Sequence, residues 1–208
     1  MARKMDIQSI PNHKFQFTRN WFRNRNKNTF LEFVLPYWKD REANVLEIGV
    51  FEGMCMVWML QYLHPSNQYW GIDPWLETAK LDDEVMEQVR LRAYHNTSPY
   101  GARCKLYRAN SNEALRRAGR KHGFYGIKKE TLDLCIIDGD HTELAVLADA
   151  RQCLPLVKPG GHILFDDVEA QIKKRHQVKD GLRMFLDESG DAVKSIWKHH
   201  YMECFEKL

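Results

Sequence analysis

Between residues 131 and 167 the chain reads as strand, acidic loop, helix, turn and strand, and few folds accept that order. Leu132, Leu134, Cys135, Ile136 and Ile137 form a short apolar run of strand character that stops at Asp138. Asp138, Gly139, Asp140 and His141 follow, three of them polar. Residues 142–154 then place Leu144, Leu147 and Ala148, with Val146, Ala150 and Cys153, at helical spacings. Asp140 and Glu143 stand three apart, as an N-cap and its partner one turn on. Pro155, Pro159, Gly160 and Gly161 break the chain, and a second apolar run at residues 162–165 ends at Asp166 and Asp167. Two strands joined through one helix form a right-handed βαβ unit.

Neighbouring strands lie about 4.8 Å apart, so adjacent strands in this unit bring Asp138, Asp166 and Asp167 together. Ligands of open α/β sheets bind outside those carboxyl ends. Like charges raise each other's pKa, and a hard divalent cation with oxygen ligands relieves such crowding. The competing reading is that these acids cap helices or face water.

The rest of the chain extends the alternation. Strand signals fall at residues 44–48, 68–73 and 104–108 and helical ones at 54–63, 81–95, 111–119 and 170–186, with a final hairpin from residues 193–198 and 202–205. The helix at 54–63 is apolar all round and therefore buried. The helix at 81–95 turns Val85, Met86, Val89 and Ala93 inward, as a surface helix or a lid. Residues 1–17 read as a loosely held arm, and 18–38 as an aromatic helix interrupted by Pro36, with Arg19, Arg23, Arg25 and Lys27 on a solvated face. The expected fold is α/β: a Rossmann-like, doubly wound, mainly parallel sheet with helices on both faces and a C-terminal antiparallel hairpin. With 208 residues it is expected to form a single domain, 1–40 as arm and helix and 41–208 as core.

Composition excludes other classes. A charged fraction of 28% beside 44% hydrophobic residues marks a globular chain, and a net charge of +3 argues against a general nucleic-acid binder. No apolar run approaches the roughly 18 residues of a membrane span. Five cysteines, an odd number with no C-x-x-C, indicate a reduced, cytoplasmic protein.

The stretch Glu47, Ile48, Gly49, Val50, Phe51, Glu52, Gly53 lies between a strand and a helix, where a glycine turn lets a ligand approach the backbone. Phe51 stands where a dinucleotide fold needs its second glycine, which argues against a nicotinamide oxidoreductase. A nucleoside without a pyrophosphate has no such requirement. Asp73, at the end of the next strand, suits a bidentate bond to ribose hydroxyls.

In this order the segments at 45–49, 71–75, 109–111, 137–141 and 159–167 resemble the class I S-adenosylmethionine-dependent methyltransferases. More narrowly they resemble the metal-dependent O-methyltransferases acting on catechols, caffeoyl-coenzyme A and macrolide sugars. The Ile137-Asp138-Gly139-Asp140-His141 element with its downstream acidic pair is most similar to the sugar-modifying branch, and the aromatic run at 17–22 resembles small bacterial and viral members. The resemblance implies S-adenosylmethionine and Mg²⁺ or Mn²⁺ as cofactors. It puts Glu47 and Gly49 beside the methionine part and includes Gly53 and Asp138 in the cofactor site. Asp73 falls on the ribose, Trp75 and Ser111 by the adenine, and Asp138, Asp166 and Asp167 on the metal. His141 falls where a basic residue takes the proton from the acceptor hydroxyl. Asp167 departs from the asparagine of catechol-type enzymes and makes the site more anionic. His162, His199 and His200 read as structural. The implied partner is a small-molecule hydroxyl acceptor (sugar, glycoside or phenol), with no membrane or nucleic acid and with self-association through the aromatic helix open. The alternative is a non-catalytic nucleoside-binding or structural domain of the same fold.

Overall fold

The computed structural model describes residues 6–22, 24–78, 81–118, 126–171 and 175–208. Seven strands form one sheet: β1 Asn44–Ile48, β2 Gln68–Asp73, β3 Cys104–Arg108, β4 Leu132–Ile137, β5 Val157–Phe165, β6 Val193–His199 and β7 Met202–Lys207. Their order across the sheet is β3-β2-β1-β4-β5-β7-β6. Pairings from β3 through β5 are parallel, and β7 runs antiparallel to both β5 and β6. Strand order reverses between β1 and β4, and the crevice of such a sheet opens at that point.

The helices are α1 Asn24–Thr29, α2 Leu35–Trp38, α3 Met54–Tyr62, α4 Asp83–Thr97, α5 Ser111–Ala118, α6 Glu143–Cys153 and α7 Gln177–Ser189. Alternation along the strands divides the core in two. Leu46, Ile48, Ile72, Cys135 and Ile137 pack with Leu115, Val146, Leu147 and Leu182 of α5, α6 and α7. Val45, Tyr69, Leu134 and Ile136 pack on the other face with Phe30, Trp38, Trp58 and Val89. As its all-apolar sequence requires, α3 is buried throughout residues 56–60.

Several boundaries differ from the sequence expectation. The aromatic helix starts at Asn24, not at residue 18. Residues before it are drawn away as Thr18 donates through its backbone N–H and hydroxyl to the two Glu52 carboxylate oxygens. Pro36 does not interrupt that helix. A π turn at Phe30–Val34 precedes it, and Pro36 sits in the first turn of α2, where no N–H is needed. On α4, Met86, Val89 and Ala93 are buried while Val85 is exposed, and a 3₁₀ turn at Ser98–Arg103 replaces the expected loop. The Pro-Gly-Gly segment lies inside β5, because a register shift between Leu132 and Leu134 of β4 accommodates it. α7 begins at Gln177, seven residues later than expected. The N-cap position of α6 is Thr142, not Asp140.

Candidate active site

Ladder hydrogen bonds continue past the strand ends. Gly49 N–H donates to Ile72, Asp138 N–H to Ile48 and Asp166 N–H to Ile137, at 3.0, 2.9 and 3.1 Å. The register sets Ile48 against Ile72 and Ile137, and Ile137 against Phe165. Asp73, Gly49, Asp138 and Asp166 therefore stand in one row across β2, β1, β4 and β5.

Gly49 is required there. Its φ is +88°, and a Cβ would sit 1.9 Å from the Asp138 carbonyl oxygen. The turn after it closes through Gly53, at φ +77°, whose N–H donates to Val50. Asp73 braces that turn: one oxygen accepts from Val50 and Phe51 N–H, both at 2.9 Å, and the other from Trp75 N–H at 2.7 Å. A carboxylate has about four acceptor sites, so one site remains for a ribose hydroxyl rather than a bidentate pair. Burial pushes the Asp73 pKa up while these three bonds hold it down. Trp75 is fully buried and donates its indole N–H to the Phe51 carbonyl, so it supports the turn from beneath.

Glu47 lies below the turn, 2% exposed, and accepts from the Tyr69 hydroxyl at 2.9 Å. Burial raises its pKa to about 8, against the opposing Tyr69 bond and with help from Asp138. Ser111 opens α5 and hydrogen-bonds Asp149 of α6, a buried acid raised to about 6 chiefly by desolvation. A Cβ on Gly139 would lie 3.0 Å from the Ile48 side chain and 3.7 Å from the Asp149 carboxylate, so the acidic loop packs closely over β1.

The acidic centre adjoins this turn. Asp140 accepts from Thr142 N–H at 2.9 Å, and in the loop so formed His141 Nε2 stands 3.4 Å from Asp138 and 3.9 Å from Asp167. Asp138, His141 and Asp167 each offer an atom within 4.8 Å of the others. Asp166 stands beside that group rather than in it: one oxygen accepts from Asp167 N–H at 2.7 Å and the other from the Asn26 amide at 3.0 Å. Desolvation raises both Asp138 and Asp166, even though 37% of the Asp138 side chain remains exposed, and the neighbouring carboxylates add to it. His141 is raised mainly by its bond to Asp138, against desolvation. Among the described residues no lysine or arginine forms an ion pair with these three acids. Asp167 also holds φ at +54°, a conformation of order 1 kcal/mol above its alternatives. Carboxylates drawn together with no paired lysine or arginine among the described residues, beside one imidazole, fit a divalent cation of the Mg²⁺–Mn²⁺ type.

Sequence reading missed two groups. Asn26 reaches Asp166 across 140 positions, and Glu52, 1% exposed, accepts from Thr18 and from Arg92. Neither lies in a periodic pattern that would mark it. An open groove of about 480 Å³ between α4, β3 and α5 is lined by Tyr94, Tyr107, Arg108, Ala109 and Arg117, and the Ala109 N–H donates to the Asp73 carbonyl at 3.2 Å.

The family model for a methyltransferase domain matches residues 46–168, more than half of the chain. The protein belongs to the methyltransferase-domain family. Solved structures with this methyltransferase fold include a putative O-methyltransferase from Klebsiella pneumoniae, 18% identical over 91% of this chain and 83% of that one, with a TM-score of 0.63. An O-methyltransferase from Bacillus cereus, in complex with SAH, is 17% identical over 95% and 84%, also at 0.63. The MycE methyltransferase of mycinamycin biosynthesis, in complex with Mg and SAH, is 20% identical over 93% of this methyltransferase and 51% of its own chain, at 0.57. No curated protein matches the sequence. No helix among the described residues is long and apolar enough to cross a membrane.

Proposed function

We propose that this methyltransferase moves a methyl group from S-adenosylmethionine to a hydroxyl of a small molecule, a sugar, glycoside or phenol, at a divalent metal centre. The observation carrying this reading is that the glycine turn and the acidic centre are one construction: Gly49 abuts the Asp138 carbonyl, and the Asp138 side chain faces His141 and Asp167. S-adenosylmethionine would supply an electrophilic methyl group, and a cation held by Asp138, Asp167 and Asp166 would supply a place for the acceptor hydroxyl and a lowered pKa. Glu47, Gly49 and Gly53 border the methionine part, Asp73 meets one ribose hydroxyl, and Ser111 lies on the adenine side. His141, beside the acids, takes the acceptor proton. The unpaired cysteines suit a reduced, cytoplasmic setting.

The closeness of His141 to Asp138 and Asp167 favours a second role for it, as a metal ligand, with the proton passing to Asp140 or Asp167. His141→Ala separates the two: as a base its loss spares Mn²⁺ affinity, as a ligand its loss weakens it. Calorimetric titration tests the cofactor assignment. We expect micromolar affinity for S-adenosylhomocysteine and none for NADH; the reverse order would overturn it.

A further inference from the structure

The N-terminal segment is fastened at both halves of the site. Gln16 exchanges hydrogen bonds with the fully buried Asn96, donating its N–H at 2.7 Å and accepting from the amide at 3.1 Å. Thr18 is held by Glu52 inside the cofactor turn. Phe22 then packs on Phe30 and Trp58, and Asn26, 8% exposed, donates to Asp166. The segment thus runs from the cofactor turn to the acids.

The apolar face of this helix, through Phe30, Val34, Leu35 and Trp38, already anchors it to the core, so the Asn26 amide is not needed for docking. Its effect falls on Asp166. A single bond from Asp167 N–H leaves that carboxylate free to turn, whereas a second donor on the other oxygen fixes its plane and leaves a lone pair on each oxygen. Such outer donors orient ligating carboxylates. We propose that Asn26 is a positioning residue of the acidic centre, fixing the Asp166 carboxylate beside the Asp138, His141 and Asp167 group that would take the cation. The proposal rests on the metal reading above.

The test is Mn²⁺ binding to the full chain, followed by electron paramagnetic resonance, beside calorimetry of S-adenosylhomocysteine without metal. Asn26→Ala and the nearly isosteric Asn26→Leu should weaken Mn²⁺ binding about 10–100-fold, the usual effect of losing an outer donor, with cofactor affinity changed less than about twofold. Thr29→Val removes the neighbouring 3.0 Å contact to His199 on the same helix face and should leave both affinities unchanged. Asn26→Leu keeps the volume should the alanine variant not fold. Wild-type Mn²⁺ affinity in both Asn26 variants would overturn the role, as would equal weakening by Thr29→Val. A wild type that binds no Mn²⁺ removes the metal reading, and this role with it.

Discussion

Gly49→Ala tests whether the cofactor turn and the acidic centre are mechanically one unit. The added Cβ would lie 1.9 Å from the Asp138 carbonyl oxygen, so β1 and β4 must part by about 1 Å or more at their ends. That separation breaks or strains the bond from Asp138 to Ile48, worth about 1 kcal/mol. An alanine at φ +88° adds about 1–2 kcal/mol of backbone strain. The total, about 2–3 kcal/mol, corresponds to a loss of about 8 °C in a domain of this size. Gly160→Ala is the control: φ is +75°, but a Cβ there meets nothing within 4 Å, so strain alone lowers the melting temperature by about 4 °C. Scanning calorimetry measures both, and Mn²⁺ titration of Gly49→Ala should show weakened binding because Asp138 moves with its carbonyl. Equal melting temperatures for the two variants would refute the close-contact argument.

Asp73→Ala should weaken S-adenosylhomocysteine binding about 10–100-fold by calorimetry, the worth of a bond to a charged acceptor, and should lower the melting temperature because three turn N–H groups lose their partner. Glu47 has its folded pKa raised to about 8 from 4.5, so the stability it contributes without cofactor is full below pH 4.5 and is lost as pH rises through 8. Glu47→Gln should flatten that decline in denaturant titrations at pH 5 and 9, and an unchanged slope would contradict it. His141→Ala should lower kcat by about 10²–10⁴, its residual rate rising with pH as hydroxide replaces the base. In the wild type without added metal, Asp138 holds the His141 pKa above 6.5, so an imidazole titration followed by NMR should show its midpoint above that value, and a lower midpoint after Asp138→Ala.

Most of the sheet was readable because its signals are local. The bounds of β1, β2, β3 and β4 coincide with those read from the sequence. Helix starts were less readable, since they depend on contacts made elsewhere. Thr18 is drawn out of helix by Glu52, and Asp140 spends its carboxylate on Thr142 N–H instead of capping α6. The β5 extension depends on extra residues that β5 itself carries between Val157 and His162, where two steps of β4 face five of β5. In the site, spacing along parallel strands was enough to align Asp73, Gly49, Asp138 and Asp166. It carried no information on how each side chain is used: the Asp73 carboxylate mostly on backbone N–H groups, the Asp166 carboxylate on Asn26 and Asp167 N–H, and the Trp75 indole on the Phe51 carbonyl. Those partners come from loops and from the N-terminal segment, where no periodicity constrains the side chains.

The central claim is metal-coupled methyl transfer at the Asp138 centre. The direct measurement is transfer of label from methyl-tritiated S-adenosylmethionine across a panel of sugars, phenols and polyketide glycosides, run with Mg²⁺ or Mn²⁺, with chelator, and with Asp138→Ala. The account predicts labelled ether product with metal, none in chelator, restoration on adding metal back, and none from Asp138→Ala even though that variant still binds S-adenosylhomocysteine. Product formed equally in chelator by metal-free protein, and by Asp138→Ala, would contradict it.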